Sequence, residues 1–144
     1  MNKRNTQKGF TLIEIMVVVV IIGVLAALIV PSVLGRADEA RVTAAKTDLQ
    51  AIANALDLYK LDNYDYPSTD QGLDALVSRP SGQPEALNWN PDGYLKKLPN
   101  DPWKRDYIYI SPGTHGAFDL YSLGADGREG GEGYAADILS WEDE

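Results

Sequence analysis

From residue 10 to residue 30 the only polar side chains are those of Thr11 and Glu14, and residues 15–30 form an unbroken apolar run. Twenty-one residues wound as an α-helix at about 1.5 Å each span roughly 31 Å, the thickness of a hydrocarbon core. Most of the run is β-branched Val and Ile, which make a poor isolated helix in water. In lipid, a backbone without water must bond to itself, so the helix is expected there. Lys3, Arg4 and Lys8 precede the run. Such a basic leader stays on the cytoplasmic side and sends the rest of the chain across. The run is longer than an ordinary secretory apolar segment. Glu14 stands out, because a carboxylate within such a span costs roughly 2.5–3.5 kcal/mol on insertion scales. A plain reading leaves it solvated at the membrane edge. A sharper one gives it a positive partner, and the span has no Lys or Arg. An α-amino group freed at Phe10 by cleavage after Gly9, its own or a neighbouring chain's, supplies the missing charge.

Composition narrows the rest. The chain has 144 residues with 13 Lys+Arg, 21 Asp+Glu and a formal charge of −8. Loss of the leader removes three positive charges and leaves the body still more acidic. Such a body repels nucleic-acid phosphates. It suits a soluble surface, or a hard cation such as calcium. There is no cysteine, so disulfides, thiolate metal sites and cysteine nucleophiles are excluded. No phosphate-binding loop, dinucleotide fingerprint or HExxH occurs. The single histidine, His115, sits between glycines at 113 and 116 and reads as a loop residue.

Pro31 follows the apolar run and is expected to bend or loosen the helix. Beyond it, Val42, Ala45, Leu49, Ile52, Ala53, Leu56 and Tyr59 recur at helical spacing. Arg41, Lys46, Asp48, Asp57 and Lys60 fall largely off that face. One long helix from Thr11 to about Leu61 is predicted, its second half packed on a head. Tyr64-Asp65-Tyr66-Pro67 ends it. Ser68-Thr69-Asp70-Gln71 reads as a capping box before a short helix through Val77. Residues 79–93 are rich in turn formers and read as an irregular loop. Residues 107–110 and 118–122 read as strands joined by a turn at 111–116. The fold expected is α+β, a long helix packed on a head with a short helix, a long loop and a small antiparallel sheet.

The segment KGFTLIEIMVVVVIIGVLAALIVP resembles the class III signal of type IV pilins and pseudopilins. YKLDNYDYPSTDQGLDAL, DGYLKKLPNDPW and FDLYSLGADGREGG resemble the head of major pseudopilins of type II secretion. The resemblance covers nearly the whole chain and implies a type IV pilin-like fold. It implies a cleaved leader at residues 1–9, a transmembrane and assembly helix at 10–34, and a periplasmic head at 35–144. It implies cleavage by a prepilin peptidase between Gly9 and Phe10, N-methylation of Phe10, and an assembly role for Glu14. The implied product is a structural subunit, not an enzyme. It is anchored in the bacterial inner membrane and polymerises with itself into a periplasmic filament that drives or scaffolds export of folded proteins. Minor pseudopilins and an inner-membrane assembly platform are further implied partners.

Residues 123–144 read LGADGREGGEGYAADILSWEDE. Five glycines prevent a stable helix or strand here. Asp126, Glu129, Glu132 and Asp137, with free carbonyls between them, suit Ca²⁺ and its 6–8 oxygens. The spacing fits neither an EF-hand nor a GGxGxD repeat, and a solvated acidic turn accounts for the composition as well. The resemblance implies one structural calcium, with the Leu123 carbonyl and Asp126 carboxylate as ligands, a carbonyl of Arg128 and the carboxylate of Asp137. Gly133, Tyr134 and Ala135 stand where similar chains carry further aspartates, which leaves Glu132 as a substitute ligand. Two other functions fit parts of the sequence. One is the major subunit of a type IV pilus or DNA-uptake filament, against which the missing cysteines and the LGADG segment speak. The other is an anchored periplasmic hydrolase using Asp65 with Asp70, or Asp119 with Asp126, as paired carboxylates.

Overall fold

The computed structural model describes residues 9–142, and side chains there except those of residues 29–34. The leader expected at 1–9 lies outside the described residues except for Gly9. The chain separates into two compact units, Met1–Ala37 and Asp38–Glu144.

Helix α1 spans Leu12–Asn63 and continues through position 31. In the first unit every described side chain from Phe10 to Leu28 is exposed, with Leu12 at 80% and Leu28 at 72%. No helix of the described residues is long and apolar enough to cross a membrane. The described side chains of the apolar run stop at residue 28, while the sequence stays apolar through Val30.

In the second unit Ala45, Leu49, Ile52, Ala55, Leu56 and Tyr59 are buried along one face of α1, and Val42 and Ala53 pack at its edge. Leu73, Ala75, Leu76, Ala86, Tyr107, Tyr109, Leu120 and Ile138 complete the core. Burying a side chain such as Ile52 or Leu56, both 0% exposed, stabilises by about 1.5–3 kcal/mol. α1 stops where Tyr64 turns left-handed at φ 73 and its N–H reaches the Lys60 carbonyl at 2.7 Å. The neighbouring Asn63 is buried; its side-chain amide donates to the Tyr59 carbonyl and Tyr94 hydroxyl, while its Oδ1 accepts from the Asn88 N–H.

Ser68 and Gln71 make the reciprocal bonds of a capping box, at 3.0 and 3.3 Å. The box closes a turn rather than heading a helix directly. Gly72 at φ 61 intervenes, and the regular segment is a 3-10 turn at Leu73–Leu76. The Gln71 amide also donates to the Ser81 and Pro84 carbonyls, fastening the irregular loop.

Strand β1 is Ile108–Ile110, β2 is Asp119–Ser122 and β3 is Ile138–Leu139. They form one antiparallel sheet in the order β1-β2-β3, with Tyr109 opposite Leu120 and Tyr121 opposite Leu139. The third strand was not expected. It returns the chain beside β2 after the glycine-rich segment, which therefore becomes a closed loop at the end of the sheet.

Candidate functional site

At the N-terminal end, Gly9, Phe10 and Thr11 precede α1 without regular structure, and Phe10 is 83% exposed. The Thr11 N–H and hydroxyl both donate to Glu14 Oε2, at 2.9 and 3.0 Å. The Glu14 N–H points back at the Thr11 hydroxyl at 3.3 Å. This is a capping box. Here the Phe10 nitrogen is an amide joined to Gly9, and Glu14 Oε2 is held by Thr11. Sequence reasoning gave Thr11 no role, although T-x-x-E ahead of an apolar run is a helix-start signature.

The second candidate lies where β2 runs into the glycine-rich loop. Asp101 is 3% exposed. Its Oδ1 accepts from the Trp103 and Arg105 N–H groups at 3.0 and 2.8 Å, and its Oδ2 accepts from the Ser122 hydroxyl at 2.8 Å. The Arg105 guanidinium Nε stands 3.6 Å from the same Oδ2. The other end of that guanidinium donates to the Gly124 carbonyl. Nothing in the sequence singled out Asp101 or Arg105.

The loop has two closures. Its first half is an Asx turn, with the Arg128 N–H on Asp126 Oδ1 at 3.0 Å, inside a turn from the Gly127 N–H to the Leu123 carbonyl at 3.2 Å. Its second half is held by the Gly130 N–H on Asp137 Oδ2 at 3.0 Å. The Ala125 N–H meets the Tyr134 carbonyl at 3.1 Å and ties the halves together. Gly124, at φ 60, packs so closely on the Ala135 and Ala136 carbonyls that a Cβ has no room.

Of the expected calcium ligands, Leu123 and Asp126 share one turn and Asp137 lies across the loop. Arg128 and Glu132 are exposed. The described residues bring no three acidic or histidine side chains together as a metal cluster. A cation here would take much of its coordination from backbone carbonyls. One observation fits it: Asp137 Oδ1 is buried and has no hydrogen-bond partner. A buried carboxylate oxygen left unpaired is costly, and a hard cation relieves that cost. The surroundings agree in sign. Burial, then Glu129, Asp137 and Asp119, push the Tyr121 hydroxyl up from its ordinary value.

Asp119 serves the β1–β2 turn. Burial would raise its pKa, but the N–H groups of Thr114 and His115, the Thr114 hydroxyl and the His115 ring hold it down at about 2. His115 in turn stacks on Trp141, ring centres 4.4 Å apart and 7° from parallel. A carboxyl depressed on folding adds stability that is full above its unfolded pKa, about 3.9, and fades as pH falls through about 2. Asp119→Asn should therefore lower the urea midpoint at pH 7. The gap from the parent chain should narrow between pH 4 and pH 2. A gap independent of pH would count against the assignment.

A long N-terminal helix, a small antiparallel sheet and a capped Gly-Phe-Thr-Leu-Ile-Glu start define a pilin-like chain. The family model described as "Prokaryotic N-terminal methylation motif" matches residues 4–30, and that for "Type II secretion system (T2SS), protein G" matches residues 32–141. The type II secretion system core protein G of Pseudomonas aeruginosa is 66% identical over 140 residues, covering 97% of this chain and 99% of the relative. That of Vibrio cholerae is 56% identical over 141 residues, covering 98% and 96%. The crystal structure of the major pseudopilin from the type 2 secretion system of enterohaemorrhagic Escherichia coli matches with a TM-score of 0.68 at 44% identity, over 75% of this chain and 88% of that one. The chain belongs to the type II secretion system protein G family.

Proposed function

We propose that this chain is the major structural subunit of a type II secretion pseudopilus. A prepilin peptidase cuts between Gly9 and Phe10 and methylates Phe10. Residues 10–34 hold the subunit in the inner membrane with the head in the periplasm. Subunits leave the membrane through an assembly platform and polymerise, with minor pseudopilins, into a filament that drives or scaffolds export of folded proteins. The subunit carries no catalysis of its own.

The observation that carries this reading is the exposed apolar face of α1 from Leu12 to Leu28, in a chain whose two halves match the methylation motif and the protein G head. That much apolar surface needs lipid or neighbouring helices around it. A head matched over residues 32–141 by protein G disfavours the type IV pilus reading. Ca²⁺ is the proposed cofactor, held by the Leu123 and Arg128 carbonyls with Asp126 and Asp137. It would neutralise the acidic loop and bridge its two halves.

Deleting the gene in its native host should leave secreted enzymes trapped in the periplasm, and the complementing protein should have the mass of a chain starting at methylated Phe10. Normal secretion with lost surface pili or twitching would replace this function with the pilus one.

A further inference from the structure

The first half of the glycine-rich loop is held from inside by a cation the chain already carries. The Arg105 backbone is fixed at both ends of Asp101: its N–H meets Asp101 Oδ1 at 2.8 Å, and its carbonyl accepts the Asp101 N–H at 2.8 Å. Lys104, between them and left-handed at φ 67, makes the tight turn that aims the next side chain. The Arg105 guanidinium then donates to the Gly124 carbonyl and fills the space beside Gly127, where a Cβ would overlap it. Ser122, at the end of β2, bonds to the same buried Asp101. Residues 122–127 are thus fastened to the Asp101 turn at two points. Residues 130–137 make no hydrogen bond to the Asp101 turn among the described residues. That half closes on itself, with the Gly130 N–H on Asp137 Oδ2 and the Asp137 N–H on the Gly130 carbonyl. It leaves Asp137 Oδ1 buried without a hydrogen-bond partner, as Arg105 Nε is beside Asp101.

We infer that Arg105 is a positioning residue for the loop's calcium ligands: it pre-forms the Leu123–Asp126 side, so that the cation has only to join it to the unpaired Asp137 oxygen. This rests on the calcium reading. A ligand set ordered before binding loses less entropy on binding. The positive charge does not defeat the arrangement, because Asp101 lies against it and compensates it. The sign of the effect is therefore diagnostic. If Arg105 acted only as a nearby charge it would repel Ca²⁺, and its removal would tighten binding. If it positions ligands, its removal weakens binding.

The test uses the full-length chain in detergent, stripped with EDTA and titrated with calcium chloride by calorimetry. Amide exchange across residues 123–137 is followed in EDTA. Arg105→Gln should weaken calcium binding by about tenfold or more, the usual effect of removing a group that orients ligands. It should also speed exchange of the Ala125 and Gly127 amides before any metal is added. Arg105→Lys, a milder change that keeps the charge, should recover only part of the affinity. Binding by Arg105→Gln that is unchanged or tighter overturns the positioning role alone, as does full recovery by lysine. Wild-type protein that binds calcium no better than Asp126→Ala does overturns the calcium reading and the positioning role with it.

Discussion

Asp101→Ala should destabilise the head by about 4 kcal/mol, the largest loss expected from any single polar side chain in it. Asp101 is buried and accepts from the Trp103 and Arg105 N–H groups and the Ser122 hydroxyl. Removing one partner of a buried hydrogen bond costs about 1–3 kcal/mol, and more where a charge is involved. Three donors lose their acceptor together, and the Arg105 guanidinium loses its counter-charge. Water entering the space returns part of this. Asp101→Asn keeps one oxygen for the two N–H groups but turns a donor toward Ser122 and the guanidinium. Its cost should be about half as large. Urea unfolding of the full-length chain in detergent, followed by tryptophan fluorescence, measures both. A loss under about 1 kcal/mol for the alanine variant would falsify the central role given to Asp101. The ordering of the two variants separates hydrogen bonding from simple volume, since asparagine is nearly isosteric with aspartate.

The sequence revealed what is local and periodic. The positions 45, 49, 52, 56 and 59 announced the buried face of α1, because a 3.6-residue period needs no knowledge of the partner. Tyr66-Pro67 announced the helix end, and Ser68 with Gln71 a capping box. Even there a second term intervened: Gly72, left-handed at φ 61, separated the box from the 3-10 turn it was expected to start. The hairpin of β1 and β2 was legible from the Tyr-Ile run at 107–110 and the Phe, Leu and Tyr of 118–122 on either side of a Pro-Gly turn. Strand β3 was not, because two residues carry no alternation and their pairing with β2 depends on how the glycine loop closes. Asp126 and Asp137 stood out as acids in a glycine-rich loop, the carbonyls at 123 and 128 came from family resemblance alone, and the orphaned Asp137 oxygen is the physical sign of a cation there. Asp101 and Arg105 escaped notice because their partners, Ser122 and Gly124, lie about twenty residues away and no periodic pattern joins them.

Glu14→Ala and Glu14→Gln should both be cleaved after Gly9 yet both lose filament assembly and secretion at least tenfold. Two roles are open to this carboxylate, and they predict different series. As half of a capping box it accepts from Thr11, and glutamine serves that position nearly as well as glutamate. Losing such a cap costs about 1 kcal/mol. Were that its whole purpose, Glu14→Gln would assemble normally, and Thr11→Val would be as harmful as Glu14→Ala. As the partner of a freed Phe10 amine it must be charged. In a low-dielectric helical core, an ammonium facing a neutral amide remains largely unpaired, a penalty of several kcal/mol. Glutamine then fails like alanine, while Thr11→Val, which loses the cap and keeps the charge, assembles nearly as the parent does. On the proposed processing the two roles would succeed each other in time. Before cleavage Phe10 offers only an amide, and Thr11 keeps the carboxylate hydrogen-bonded at the start of α1. After the proposed cleavage an amine would then stand four residues upstream, on this chain and on every neighbour, and the same oxygen would exchange two neutral donors for a full charge. On the proposed processing, Thr11 makes an acidic side chain tolerable at the edge of an apolar helix until the amine it is proposed to serve has been made.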